Sequence, residues 1–278
     1  MDSILGKVKV AVGAGQKLAR LIVAYRRLAG RPDSSVVARE KALVGITVAA
    51  AGFPVPEVRA EVEHWLSAER ARLAEAREEL RFSFGGGLAS ALGEIGIEPR
   101  GQLPVVRAGM FSLRVDFESG KVALYWGPEV ERLVVGVALS PTVVARAVSD
   151  QLAALRKRAI EPGRFAGLLR DAYRRWLLAG GGEPGARAPL MELLAELVLL
   201  IQPESFRADP ARARFVEYPR VQFSYDLYRL RSAAAGGLPR LHVATFDSTT
   251  SRMKSLWVPD NDQGDGTHYS FLSYPKDS

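Results

Sequence analysis

The chain has 278 residues, 47% of them hydrophobic, a formal net charge of +7 and a sequence pI near 9.8. It is long enough for one large domain or two modest ones, and apolar enough to bury a full core, so disorder does not dominate. It contains no cysteine, which excludes disulfides, thiolate zinc sites and cysteine nucleophiles and fits a reducing compartment.

From Ile4 to Leu28, apolar residues including Val8, Val12, Leu18, Ile22 and Tyr25 recur at helical spacing, interrupted by Gly13 and Gly15, which predicts one or two helices. Asp33 and Ser34 are expected to cap a second helix running to about Ala51, where Gly-Phe-Pro-Val-Pro stops it. A third is expected from Pro56 through Leu80. Its Val58, Val62, Trp65, Leu66, Leu73 and Leu80 share one side, and Glu and Arg cover the other. Gly85-Gly86-Gly87 is read as a break before a short helix, Leu88 to Ile95.

The texture then changes. Met110 to Phe117 alternates as a strand, Glu118 to Lys121 forms a turn with Gly120 supplying positive φ, and Val122 to Trp126 returns as its partner. Helices resume at Pro141 to Arg158, Gly163 to Leu178 and Pro189 to Ile201. For Pro219 to Arg231, strict alternation of Val221, Phe223, Tyr225 and Leu227 competes with helix punctuation. Pro219 suits a first turn and Arg229 and Arg231 a last one, with a glycine cap expected in Ala233 to Pro239, so helix is favoured over strand. Leu241 to Phe246, Met253 to Val258 and His268 to Tyr274 read as an antiparallel meander with a longer loop at Pro259 to Thr267.

Ala42 to Val55, the strongest apolar run, falls short of the roughly 20 residues that cross a bilayer as a helix. Met1 to Val12 offers neither the h-region nor the cleavage site of a signal peptide. No membrane association is expected, and the cytoplasm is the default location.

Two basic clusters stand out: Lys7 to Lys41 at +7 and Arg146 to Arg175 at +5. Such surfaces attract phosphate backbones without sequence preference, although an arginine-rich proteome gives helices similarly charged, merely solvated faces. A winged-helix arrangement would make 219–231 the recognition helix and Leu241 to Val258 the wing. Arg220, Arg229, Arg231, Arg240, Arg252 and Lys254 would then meet phosphate, with Tyr225 and Tyr228 near the groove. The long gap from Ile201 to Pro219 requires an inserted helix, such as Asp209 to Glu217. Packing of Phe223, Leu227 and Leu230 into a core accounts for the same segment without nucleic acid.

Other chemistry finds little footing. Gly13 to Lys17 lacks the remaining elements of a dinucleotide fingerprint or P-loop. His64, His242 and His268 have no metal-ligand spacing, and Asp260, Asp262 and Asp265 miss the register of a calcium loop, so a hairpin turn is expected there. Asp116, Glu118 and Lys121 suggest metal-dependent phosphodiester cleavage, but the last two fall in a turn.

The expected fold class is α+β, with a helical domain at residues 1–100 and a mixed domain at 101–278. The latter has helices on a small antiparallel sheet, a hairpin at 110–126, strands within 240–275 and a winged-helix-like C-terminus. The expected function is a non-enzymatic accessory or adaptor subunit of a bacterial cytoplasmic assembly, with a protein partner and a basic face for DNA or RNA. The alternatives are a protein-binding scaffold with an acidic partner and a metal-dependent phosphodiesterase or nuclease. No cofactor and no metal site are expected.

Overall fold

A computed structural model describes residues 2–31, 35–180, 182–233 and 238–276. The chain is mixed α+β, helical at its N-terminal end, and forms two compact units. The first runs through Glu94 and takes in Arg114–Ala123 and Val135–Ala145; the second holds Ile95–Leu113, Leu124–Val134 and the rest from Arg146. The elements in order begin with α1 (Asp2–Ala29), α2 (Val36–Ala51), α3 (Pro56–Glu94), β1 (Pro99–Gln102), β2 (Val105–Ala108), β3 (Phe111–Asp116), β4 (Lys121–Trp126) and β5 (Glu131–Ala138). They continue with α4 (Pro141–Arg158), α5 (Pro162–Gly180), β6 (Ala188–Pro189), α6 (Leu190–Leu200), α7 (Glu204–Ala208), a 3-10 turn (Arg212–Arg214) and α8 (Arg220–Ser232). Last come β7 (Arg240–Val243), α9 (Phe246–Thr249), β8 (Leu256–Pro259) and β9 (Gly266–Ser273).

In the first unit, α1, α2 and α3 bury Leu18, Tyr25, Leu43, Ile46, Ala50, Leu66 and Leu73 against one another. The Tyr25 hydroxyl donates to Glu69 at 2.5 Å, and its ring meets Trp65 edge to face. Ser35 caps α2, accepting from the Ala38 amide at 3.1 Å; the Asp33 and Ser34 caps lie outside the described residues. The break expected at Gly85–Gly87 does not occur. α3 runs through it to Glu94 because Phe84, Leu88, Ala91 and Leu92 on either side are buried, and packing outweighs roughly 1 kcal/mol of propensity per glycine.

The 110–126 hairpin forms as expected. Its turn is held by Asp116, whose carboxylate accepts from the Glu118 and Ser119 amides at 2.9 and 3.0 Å, while Gly120 takes φ 65°. Five strands follow in the order β1-β2-β3-β4-β5, and the stretch 96–109 supplies the antiparallel β1–β2 pair where only punctuation was legible.

In the second unit, α5, α6 and α8 close over a small sheet around Phe165, Leu169, Leu193, Leu197, Phe223, Leu227, Val258 and Leu272. The competition at 219–231 resolves as helix. Residues Val221 to Leu227 of α8 are all buried, so the alternation read as a strand reflects a helix enclosed on every side. Its polar residues are internal too: Ser224 accepts from the Trp126 indole at 2.9 Å and donates to the Trp257 carbonyl at 2.5 Å. The Trp257 ring lies so close to Gly127, φ 63°, that a Cβ there would fall 2.6 Å from it.

The expected meander and wing are corrected. Among the described residues β7 and β8 each pair with β9 and not with each other, and β6 also pairs with β9. Residues 241–258 do not make a hairpin because the hydroxyl-rich segment between them folds on itself. Thr249 and Thr250 donate to the Phe246 and Asp247 carbonyls at 2.6 and 2.9 Å, forming α9. The real hairpin is β8–β9, and its loop is the expected turn, tied by Asn261 and Asp265. The insertion before α8 is α7 and the 3-10 turn, not a helix over 209–217, and the glycine cap in 233–239 falls largely outside the described residues.

Candidate functional site

The eight residues singled out from the sequence all lie in the second unit, but the structure does not gather them into one strip. Arg220 is largely buried at the start of α8; its Nε donates to Glu131 at 2.7 Å and it reaches the Ser255 carbonyl at 2.9 Å. Arg252 binds the other oxygen of the same buried carboxylate. Arg229 donates to the Ile160 carbonyl at 2.9 Å, and Arg231 pairs with Asp260 at 2.8 Å while covering the Tyr269 ring. Tyr225 is buried, and Tyr228 donates to Asp262 at 2.8 Å, its hydroxyl pushed up to about 12 by burial first and then by that carboxylate. Arg240 and Lys254 are exposed and separate from these pairs. Arg220 and Arg252 are thus the two that converge, and they do so on Glu131. Winding α8 into the core explains the rest, since its arginines must satisfy internal oxygens.

That convergence forms one wall of a groove. A cavity of about 430 Å³ has Arg132, Arg158, Arg220 and Arg252 in its lining with Glu131. It adjoins a second cavity, of about 480 Å³, that shares Arg158 and Gln222 and adds Arg164 and Glu217. Glu131 is already neutralised by two guanidinium groups. Among the described residues Arg158 and Arg164 make no side-chain hydrogen bond or ion pair, and Arg132 only lies over the Tyr125 ring, 6.0 Å from its centre. The groove therefore carries an excess of positive charge with its donors unspent. Arg158 closes the last turn of α4 after Arg156 and Lys157, where cations also complement the helix dipole.

Beneath the groove lies a polar core. Asp226 on α8 is buried; it accepts from the Tyr218 hydroxyl at 2.6 Å and from the Gln222 amide at 3.3 Å. Burial pushes its carboxyl up to about 6, against those hydrogen bonds and the charge of Arg229, and the same burial with Asp226 alongside raises Tyr218. Gln222, which lines both cavities, has an Oε1 with no hydrogen-bond donor.

Among the described residues no group of three His, Asp or Glu side chains is placed to hold a metal ion. Asp116 is engaged in its turn, held below the usual carboxylate range by the Ser119 hydroxyl and amide, and Glu118 is gripped by Arg77 at 2.7 Å and Arg81 at 2.5 Å. His268 is held below the usual histidine range by burial and then by Arg220. No helix among the described residues is long and apolar enough to cross a membrane.

Sequence reasoning missed Arg132 and did not single out Arg158 or Arg164. The signal for the last two was present in the +5 cluster from Arg146 to Arg175; for Arg132, a lone arginine on β5, there was none. No protein-family model, no curated protein and no solved structure matches the chain, so any functional reading rests on this geometry.

Proposed function

We propose that the chain is a non-enzymatic accessory subunit that grips the phosphate backbone of a nucleic acid in the groove beside α4 and α8. The observation that carries this reading is that Arg132, Arg158 and Arg164 line adjoining cavities without an ion-pair partner among the described residues, while the buried Glu131 between them is held by Arg220 and Arg252. Guanidinium groups left unpaired along a concave surface are suited to bidentate contact with phosphate oxygens. Such contacts fix position without reading bases.

The direct test is fluorescence-anisotropy binding of a labelled single-stranded oligonucleotide at low salt. Reversing one charge with Arg158→Glu should weaken binding by about tenfold or more, since it both removes a contact and repels phosphate. Arg240→Glu, away from the groove, should change it far less. Equal losses for the two variants, or no binding by the unaltered protein, would remove the reading.

A second reading, a scaffold for an acidic protein, is favoured by a different observation. In α1, Ile4, Leu5, Val8 and Val12 share one side of the helix and are all more than half exposed, beside Lys7, Lys9 and Lys17. An apolar helical stripe flanked by lysines fits an acidic amphipathic partner.

A further inference from the structure

The first two turns of α1 stand clear of the three-helix core. From Ile4 to Val10 every residue is exposed. Packing begins near Gly15, where a Cβ would meet the Phe53 ring at 3.7 Å, and at buried Leu18. Phe53 lies in the turn between α2 and α3, so the helix runs on past that end of the bundle. A helix tip with Gly6 inside it and no tertiary contact is marginal in water, because most helical stability comes from covering an apolar face.

The residues of the tip narrow what covers it. At 3.6 residues per turn, Ile4, Leu5, Val8 and Val12 fall within about 100° of arc, and Lys7 and Lys9 border that arc on its two sides. From Ser3 to Arg31 the chain has no acid, while Lys17, Arg20, Arg26 and Arg27 follow on the same helix. A second copy would bring like charges together, so the complementary occupant is anionic. A specific protein interface takes ~800 Å² from each partner and is anchored by aromatic or arginine side chains. Four aliphatic side chains offer at most about half of that area, and residues 4–12 include neither kind of anchor. A lipid surface asks for no shape complementarity, only apolar side chains that enter the acyl boundary and cations that meet headgroup phosphates.

From this arrangement we infer that the first turns of α1 dock the protein on an anionic lipid surface. The helix lies in the plane of the interface, with Ile4, Leu5, Val8 and Val12 toward the acyl chains and Lys7 and Lys9 at headgroup level. It lies on the bilayer and does not cross it, in keeping with the lack, among the described residues, of a helix long and apolar enough to span. None of the groove's arginines takes part, so the inference does not depend on the proposed grip on nucleic acid.

The test is co-sedimentation of the full chain with vesicles of phosphatidylcholine alone and of an equimolar mixture of phosphatidylcholine and phosphatidylglycerol. The anionic vesicles should bind the protein about tenfold or more tighter than the neutral ones. Val8→Gln with Val12→Gln should weaken that binding about tenfold, and Lys7→Glu with Lys9→Glu should remove the preference for anionic vesicles. Both pairs lie outside the core, so an unchanged thermal midpoint shows that each variant keeps the fold. Arg132→Ala with Arg158→Ala in the groove should leave vesicle binding intact while weakening oligonucleotide binding. No binding to the anionic vesicles would overturn the inference and leave the stripe to an acidic protein. Vesicle binding that survives the glutamine pair, or falls equally with the groove pair, would overturn it too. A lipid-free dimer in sedimentation velocity that the glutamine pair dissolves would assign the stripe to a second copy and count the same way.

Discussion

Asp226 shows how much a single buried carboxylate can govern. Its folded-state proton affinity is raised because burial disfavours the anion, so the folded chain binds that proton more tightly than the unfolded chain does. The contribution to stability is full below the ordinary aspartate range, near 3.8, and is lost as the pH rises through about 6. Asp226→Asn keeps an oxygen to accept the Tyr218 hydroxyl but removes the charge. Above pH 6 the variant should therefore be more stable than the unaltered protein by about 1–3 kcal/mol, and the gap should close toward pH 4. Urea denaturation of both proteins across that window measures the difference directly, and carboxylates whose affinities shift the other way, such as Glu161 and Asp265, cancel in it. A constant gap at every pH would show that the carboxylate is not titrating there.

Among the elements, α1 divides sharply. Its Leu18 and Tyr25 are buried in the three-helix core, while the stripe that continues through Val12, Val8 and Ile4 contacts nothing in that core. Leu18→Ala should cost about 2–4 kcal/mol, as a cavity in a packed core does, whereas Val8→Gln with Val12→Gln should leave the thermal midpoint within about 1–2 °C. A large loss from the glutamine pair would mean that those valines are packed. The same helix illustrates what a sequence discloses. The 3.6-residue period identified α1 and α3, and the polar–apolar alternation with a glycine turn identified β3 and β4, because each of those elements buries one face and wets the other. α8 resisted because it wets neither: Gln222, Ser224 and Asp226 are as buried as Phe223 and Leu227, so polarity no longer reports direction. The pairing of β7, β8 and β9 was hidden for another reason, since strand order depends on contacts far apart in sequence and Thr245 to Ser251 folded locally instead.

For the molecule as a whole, net charge was a sound indication of excess arginine and a poor guide to which arginines are free. Arg220, Arg229, Arg231 and Arg252, conspicuous in the sequence, are occupied by Glu131, Asp260 and a backbone carbonyl; Arg132, Arg158 and Arg164, from three separate segments, are not. Free positive charge is what a phosphate backbone measures, because each neutralised phosphate releases counterions. If these three guanidinium groups act together on a polyanion, the slope of log affinity against log salt for a single-stranded oligonucleotide reads it out. Three contacts predict a slope of about −2, hence a loss of roughly 10- to 20-fold between 50 and 200 mM salt, and Arg132→Ala with Arg158→Ala should flatten it to about −0.7. A slope that stays the same in the double variant would mean that Arg132 and Arg158 do not touch the polyanion.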